Sequence, residues 1–298
     1  MSSTKQIKWK ISSVGNIKKM TRALEVVSTV KMQNLKDKSE KYIEFLNEFL
    51  KLINVTNHKV PIFINQPQTN KKWKTLLIVV WSEKWLCWTI NAKLFKKLYN
   101  KYINRTWSVE VYTIGKKAYE YFSKQWFSII GDCRIKDSFA NTDLDDIYNY
   151  VTQSIKQDNY DDIRVCYNYF VSPMQQQPID IQLFPLNKDV IAGFIYQITS
   201  ITLDDYITDK INYKELIMEP SQKELQKVMQ KQFVKHLLYW SILQNKTWEH
   251  ASRMIAMKNA KDNASDMIGN LTLQFNKARQ WAITQEISEI VSAKIALE

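Results

Sequence analysis

Three histidines, three cysteines and one run of carboxylates are the side chains of this 298-residue chain with the most scope for chemistry. His58, His236 and His250 stand apart from any Ser or Cys that could complete a nucleophile–base–acid arrangement. Cys87, Cys133 and Cys166 are odd in number and share no metal-ligand spacing, so reduced thiols in a cytosolic compartment are expected. Asp143, Asp145 and Asp146 could face a cation, but the glycine turn and downstream Glu of a calcium loop are missing. Capping of a helix that starts after Thr142 accounts for them better. A dinucleotide or phosphate cradle needs glycines that let backbone approach the ligand, and the chain has neither GxGxxG nor GxxxxGK[ST]. No catalytic centre, metal or cofactor is therefore expected, which leaves positioning and binding as the work of the chain.

The elements that would do that work are helical at both ends. From Pro220 onward 78 residues pass without a proline, and Gly269 is the only glycine among them. At about 1.5 Å per residue, an unbroken helix of that length reaches on the order of 100 Å. Residues 1–60 contain one glycine, Gly15, and no proline. Ala264, Ile268, Leu271, Phe275, Ala278 and Ala282 recur in alternating steps of four and three, a narrow heptad-like seam. Ile7, Ile11, Val14, Thr21, Leu24 and Val27 keep a similar spacing, with Ile17 and Met20 between them, and Leu46, Leu50 and Ile53 continue it. The two ends are expected to pair antiparallel as a coiled-coil shaft, with two separate amphipathic helices as the plainer alternative.

Between them the period changes. Thr75–Trp81 is a short continuous apolar run, as in a buried parallel strand, and Asn91–Tyr102 has helical spacing. Ser108–Ile114 alternates like a strand and ends at Gly115, before a helical Lys116–Lys124. A helix from Thr142 to about Gln157 and strands at Ile163–Tyr169 and Ile179–Phe184 complete a strand–helix alternation. The expected fold is α/β with a long helical coiled coil: a shaft helix over 1–60, a central Rossmann-like domain with a largely parallel sheet over 72–212, and a second shaft helix over 213–298.

Charge limits the partners. The net charge is +12, and residues 1–60 alone hold twelve Lys/Arg against five Asp/Glu. Nucleic acid is the usual inference from such a balance, but no nucleic-acid motif accompanies it, and an acidic protein groove suits a rod better. No apolar run nears the ~20 residues of a membrane span. The polar opening leads into no signal-peptide core, so the chain is expected to stay where it is made.

Several segments resemble one family. "EHASRMIAMKNAKDNASDMI" (249–268), then "LTLQFNKARQWAITQEISEIVS" (271–292), is similar to the C-terminal signature of the gamma subunits of F-type ATP synthases. "KISSVGNIKKMTRALEVVSTVKM" (10–32) resembles the opening helix of that family. "IGKKAYEYF" (114–122), "CYNYFVSPMQQQPIDIQLFPL" (166–186) and "ELIMEPSQKEL" (215–225) match it collinearly. The resemblance implies a rotor, with antiparallel terminal helices turning inside a hexamer of alpha and beta subunits. The central domain would lie near the membrane end, on epsilon and the ring of c subunits. It implies a non-catalytic subunit with alpha, beta, epsilon and c-ring partners, no nucleic acid, and membrane contact only through the complex. With no transit peptide before the first helix, a peripheral place on the cytoplasmic side of a bacterial plasma membrane is expected, an organellar protein numbered from its mature start being the other reading. Basic coiled-coil adaptors and nucleic-acid-binding modules are the alternative class, and an enzyme with a nucleotide-binding core is a third.

Site residues follow from the resemblance alone. Arg279 and Gln280 in "KARQ", and Thr284 and Glu286 in "AITQE", match positions that touch a loop of one beta subunit. Arg253 in "HASRM" belongs to the same polar set, and Arg22 and Glu25 in "MTRALE" match the N-terminal position that faces the beta lever region. Read without the family, all of these are solvated or i,i+4-paired helix charges. The epsilon and c-ring side is implied by the motif S-D-[RK]-G-L-C-G-x-[IFL]-N. It stands here as Ser82, Glu83, Lys84, Trp85, Leu86, Cys87, Trp88, Thr89, Ile90 and Asn91.

Trp85 and Trp88 thus occupy two glycine positions, and Trp281 falls where the family carries a small residue. The chain holds 10 Trp and 5 Gly, against a usual glycine share of roughly 7%. Translation of UGA as tryptophan in a lineage that reads it as glycine would produce this pattern; true divergence with aromatic packing is the other reading.

Overall fold

The computed structural model describes residues 2–57, 74–83, 88–125, 127–186, 188–199, 219 and 221–296. Helix α1 spans Ser2–Asn57 and the last helix, α6, spans Gln222–Ile295. Between them lie β1 (Thr75–Val80), α2 (Trp88–Tyr102), β2 (Val109–Ile114), α3 (Lys116–Phe122) and β3 (Ser128–Cys133). Then follow α4 (Asp145–Lys156), β4 (Asp162–Ser172), β5 (Gln175–Phe184) and α5 (Lys188–Thr199). By Cα packing the chain forms two compact units, Met1–Val30 with Arg253–Glu298, and Lys31–Ser252.

The larger unit is built on a five-stranded sheet in the order β3-β2-β1-β4-β5. β1 pairs in parallel with β2 and β4, β2 pairs in parallel with β3, and β5 returns antiparallel beside β4. Period-two alternation divides β1 between two cores. Leu76, Ile78 and Val80 face one side, with Leu35 and Leu46 of α1 and with Phe233, Leu237 and Trp240 of α6. Leu77 and Val79 face the other, with Leu94 and Leu98 of α2 and Ala118 and Phe122 of α3. Both faces of the central strand are covered, which is why its sequence is continuously apolar instead of alternating.

Gly115 closes β2. Its φ is +108°, and an added Cβ would stand 2.6 Å from the Trp81 carbonyl oxygen. Only glycine fits a backbone that passes so close to the end of β1.

α6 is enclosed on all sides from His236 to Ala251, although this stretch is rich in polar residues. They find partners locally. The Ser241 and Thr247 hydroxyls donate to the Leu237 and Leu243 carbonyls one turn back. Gln244 donates to Ser39 of α1 at 2.9 Å, and Asn245 accepts from Asn168 of β4 at 3.4 Å. Tyr42 of α1 meets His236 of α6 at 2.7 Å. With Ser39 opposite Gln244 and Tyr42 opposite His236, the two helices run antiparallel in this unit.

In the smaller unit Ile7, Ile11 and Val14 are half-buried, and Thr21 and Ser28 are buried. The seam runs in strict heptad steps from Thr21 to Ser28, so the expected Val27 lies one residue off it and is exposed, as are Ile17 and Met20. On α6 the expected Ala264, Ile268, Leu271, Phe275, Ala278 and Ala282 are all buried or half-buried, with exposed residues between them. Leu46 is buried, whereas nothing is described of the Leu50 and Ile53 side chains.

Two elements escaped the sequence reading: the short edge strand β3, whose apolar run is broken by Gly131 and Asp132, and α5. Thr142 is not the cap of α4. It lies in a 3-10 turn over Asn141–Leu144, where the Asp143 carboxylate accepts the Ala140 backbone N–H at 2.8 Å. The expected boundaries at 60, 72, 212 and 213 fall outside the described residues.

Candidate functional site

The residues singled out on the two terminal helices divide by environment. Arg22, Arg279, Gln280 and Glu286 are exposed, and among the described residues their side chains make no hydrogen bond or ion pair. The Thr284 hydroxyl donates to the Gln280 carbonyl at 3.0 Å, an ordinary helix contact. Arg253 differs, being only 6% exposed. Glu25 is taken up inside the smaller unit, where both of its carboxylate oxygens accept from Lys261 of α6, at 2.8 and 3.2 Å.

That pair also sets the register of the helices. Three heptads back from Glu25 lies Thr4, and three heptads on from Lys261 lies Ala282, the last half-buried residue of α6. Beyond it α6 continues alone. Ile283, Ile287, Ile290, Val291 and Ile295 are all at least 47% exposed and recur at helical spacing. In the register set by Glu25 and Lys261, no described residue of α1 lies opposite these turns.

Of the central motif, Ser82 is buried and its carbonyl accepts the Lys117 N–H at 3.3 Å. Lys84, Trp85, Leu86 and Cys87 lie outside the described residues, and of Trp88 only the helical backbone is described. The acidic member of the motif, Glu83, has a definite job. Its carboxylate accepts the backbone N–H of Lys116 and of Ile135, both at 3.2 Å, joining the loops that follow β1, β2 and β3. Its own N–H donates to Glu249 of α6 at 3.4 Å.

This is the carboxyl edge of the parallel strands, where open α/β sheets commonly bind ligands. Here Glu249 and its neighbours on α6 occupy it. Lys246, Glu249 and His250 are each at most 3% exposed. Asp137, in the loop after β3, gathers two ammonium groups and an imidazole: Lys31 of α1 at 2.6 Å, His250 at 3.3 Å and Lys246 at 3.7 Å. Lys246 also stands 4.0 Å from Glu249. The His250 imidazole, and then Lys31, hold the Asp137 carboxyl well below the usual carboxylate range. Sequence reading left His250 as an isolated histidine and named neither Asp137 nor Lys246. Their partners come from three distant segments, and only the i,i+3 spacing of Lys246 and Glu249 offered a signal.

A second polar group joins β4, β5 and α2, where Asp180 accepts from Arg164 and Lys101, both at 2.5 Å. Among the described residues there is no group of three or more His, Cys, Asp or Glu able to hold a metal ion. None of the described helices is long and apolar enough to cross a membrane.

Comparison with known proteins places this geometry. The profile of the family described as ATP synthase matches residues 3–297. The ATP synthase gamma chain of Buchnera aphidicola subsp. Schlechtendalia chinensis is 32% identical over 307 aligned residues, covering 100% of this chain and 99% of that one. The chain belongs to the ATP synthase gamma-chain family. Its fold is shared with chains of mitochondrial ATP synthase structures at much lower identity. The central stalk/c-ring structure of the Tetrahymena thermophila mitochondrial ATP synthase superposes with a TM-score of 0.58 at 18% identity, over 81% of this chain and 99% of that one. The rotor of the Euglena gracilis mitochondrial enzyme in rotational state 1 gives 0.61 at 13%, over 95% and 99%. The OSCP/F1/c-ring structure of that enzyme in rotational state 3 gives 0.65 at 14%, over 99% and 95%. A gamma-chain assignment accounts for the long helices and for a nucleotide-type sheet whose ligand edge is filled by helix.

Proposed function

We propose that the chain is the central rotor stalk of an F-type ATP synthase. It couples ion-driven rotation of a c-ring to ATP synthesis, and in reverse to hydrolysis, at sites carried by beta subunits. The observation that carries this reading is the full-length gamma-chain match together with a seam that pairs two helix ends and then leaves α6 alone and apolar beyond Ala282. Chemistry stays with the beta subunits, and the chain works by rigid-body movement that links distant sites. Arg279, Gln280, Thr284, Glu286, Arg22 and Arg253 are contacts to beta, and Glu25 reaches that surface while paired with Lys261. Segment 82–88 lies on the epsilon and c-ring side. The complex is membrane-associated, and the chain reaches the membrane only through its partners, on the cytoplasmic side of a bacterial plasma membrane. The segments 1–60, 72–212 and 213–298 serve as shaft, docking domain and shaft.

Co-expression with alpha and beta subunits tests the reading. A stable complex with ATPase activity that depends on this chain is expected. Steeply salt-dependent binding to RNA or DNA, unchanged on deletion of the last 20 residues, would instead support the basic adaptor alternative.

A further inference from the structure

A rotor that drives or is driven through a sheet domain needs a joint that does not slip, and the larger unit contains one built from charge. Apolar packing holds α1 and α6 against the sheet, but hydrophobic attraction has no direction and resists sliding only through side-chain shape. The loop 134–140 adds direction. It is tied to the sheet by Glu83, which accepts the Ile135 N–H. On α1 it is gripped two turns apart, by Lys31 at Asp137 and by Lys38, whose ammonium donates to the Phe139 carbonyl at 2.9 Å. On α6 it meets His250 and Lys246 at Asp137, while the Phe139 ring packs 5.1 Å from Tyr239.

We propose that this loop is the torque joint of the stalk and that Asp137 is its positioning residue, a single carboxylate to which both helices and the sheet are fixed. The inference rests on the rotor reading. Turning either helix about its own axis moves its cation away from Asp137. For Lys246, only 4% exposed at its side chain, such a movement strands an ammonium with Glu249 alone. A buried charge that loses one of its two counter-charges is costlier to displace than an apolar contact is to loosen, so the angular well is steep. The half-buried cluster therefore sets stiffness and register more than overall stability.

The test is torsional. In the complex with alpha, beta and epsilon, halted by an inhibitor, the angular variance of a probe on the β4–β5 turn reports the stiffness of the stalk. Asp137→Asn is expected to widen that variance about twofold, Asp137→Glu to restore most of it, and Lys31→Gln to act in the same direction with a smaller effect. Leu46→Ala, a core truncation in α1, serves as the stability control and is expected to lower the melting temperature with the variance unchanged. Should Asp137→Asn fail to assemble, Lys31→Gln and Asp137→Glu carry the comparison. Variance unchanged in Asp137→Asn and Lys31→Gln, or widened equally by Leu46→Ala, overturns the joint. A complex with the unsubstituted chain that never turns with ATP overturns the rotor reading, and the joint with it.

Discussion

His236 shows how one side chain can carry a pH dependence without any catalytic role. It is enclosed between α1 and α6, edge-on to Phe45 and Phe49, and burial lowers its pKa to about 4. The ring keeps a hydrogen bond while neutral: its Nδ1 and the Tyr42 hydroxyl, itself pushed up by burial, share one at 2.7 Å, with the donor set by the tautomer. The folded pKa lies below the unfolded value near 6.5, so the unfolded chain binds the extra proton first. Stability is fully present above pH 6.5 and falls as pH drops toward 4, by about 2 kcal/mol once partial solvent screening is allowed for. Urea denaturation of the chain across that range should show the slope, and His236→Phe should flatten it. The tryptophans make a second test at this scale. Among the described residues the indole N–H groups of the buried Trp81, Trp240 and Trp248 have no hydrogen-bond partner, while Trp9, Trp107 and Trp281 are at least 69% exposed. Peptide masses across Ser82–Asn91 of the native protein are expected to show glycine at positions 85 and 88; tryptophan at both would mean a real departure in the central motif.

At the level of elements, the pairing of α1 with α6 in the smaller unit depends on few large side chains and several small ones. The Glu25–Lys261 pair is partly exposed, with side chains 19% and 25% accessible. A double-mutant cycle of Glu25→Ala and Lys261→Ala, read by denaturation of the full chain, should give a coupling near 1 kcal/mol. Ala264 is buried on the same seam, and Ala264→Leu should cost about 1–3 kcal/mol by overpacking, seen as an earlier melt. The α6 seam was legible in the sequence because its four-three spacing uses apolar residues throughout. The α1 seam was legible only in part, since Ser28 takes a position that hydrophobicity assigned to Val27. β1 announced itself as a continuous apolar run and β2 as an alternating one, whereas β3 carries Gly131 and Asp132 in an edge strand that need not be apolar. Of the charge cluster at Asp137, only the i,i+3 spacing of Lys246 and Glu249 was legible. Local pattern cannot show that residues 31, 137 and 246 converge, because only the folded sheet and helices bring them together.

For the molecule as a whole, the exposed turns after Ala282 separate what folding needs from what assembly needs. Ile283, Ile287, Ile290, Val291 and Ile295 are largely exposed in that unit, so deletion of 283–298 should change the stability of the free chain by less than about 0.5 kcal/mol. Each such side chain is worth about 1.5–3 kcal/mol when buried against a partner, so the same deletion should weaken assembly with alpha and beta subunits at least tenfold. Fluorescence-detected denaturation and a titration of hexamer binding would measure the two sides. The most direct test of the rotor account is single-molecule observation of this chain in a surface-fixed alpha–beta hexamer, with a marker on the β4–β5 turn. ATP should drive sustained rotation of the marker in one direction, pausing at each third of a turn. ATP hydrolysis that depends on the chain while the marker stays still would contradict the account.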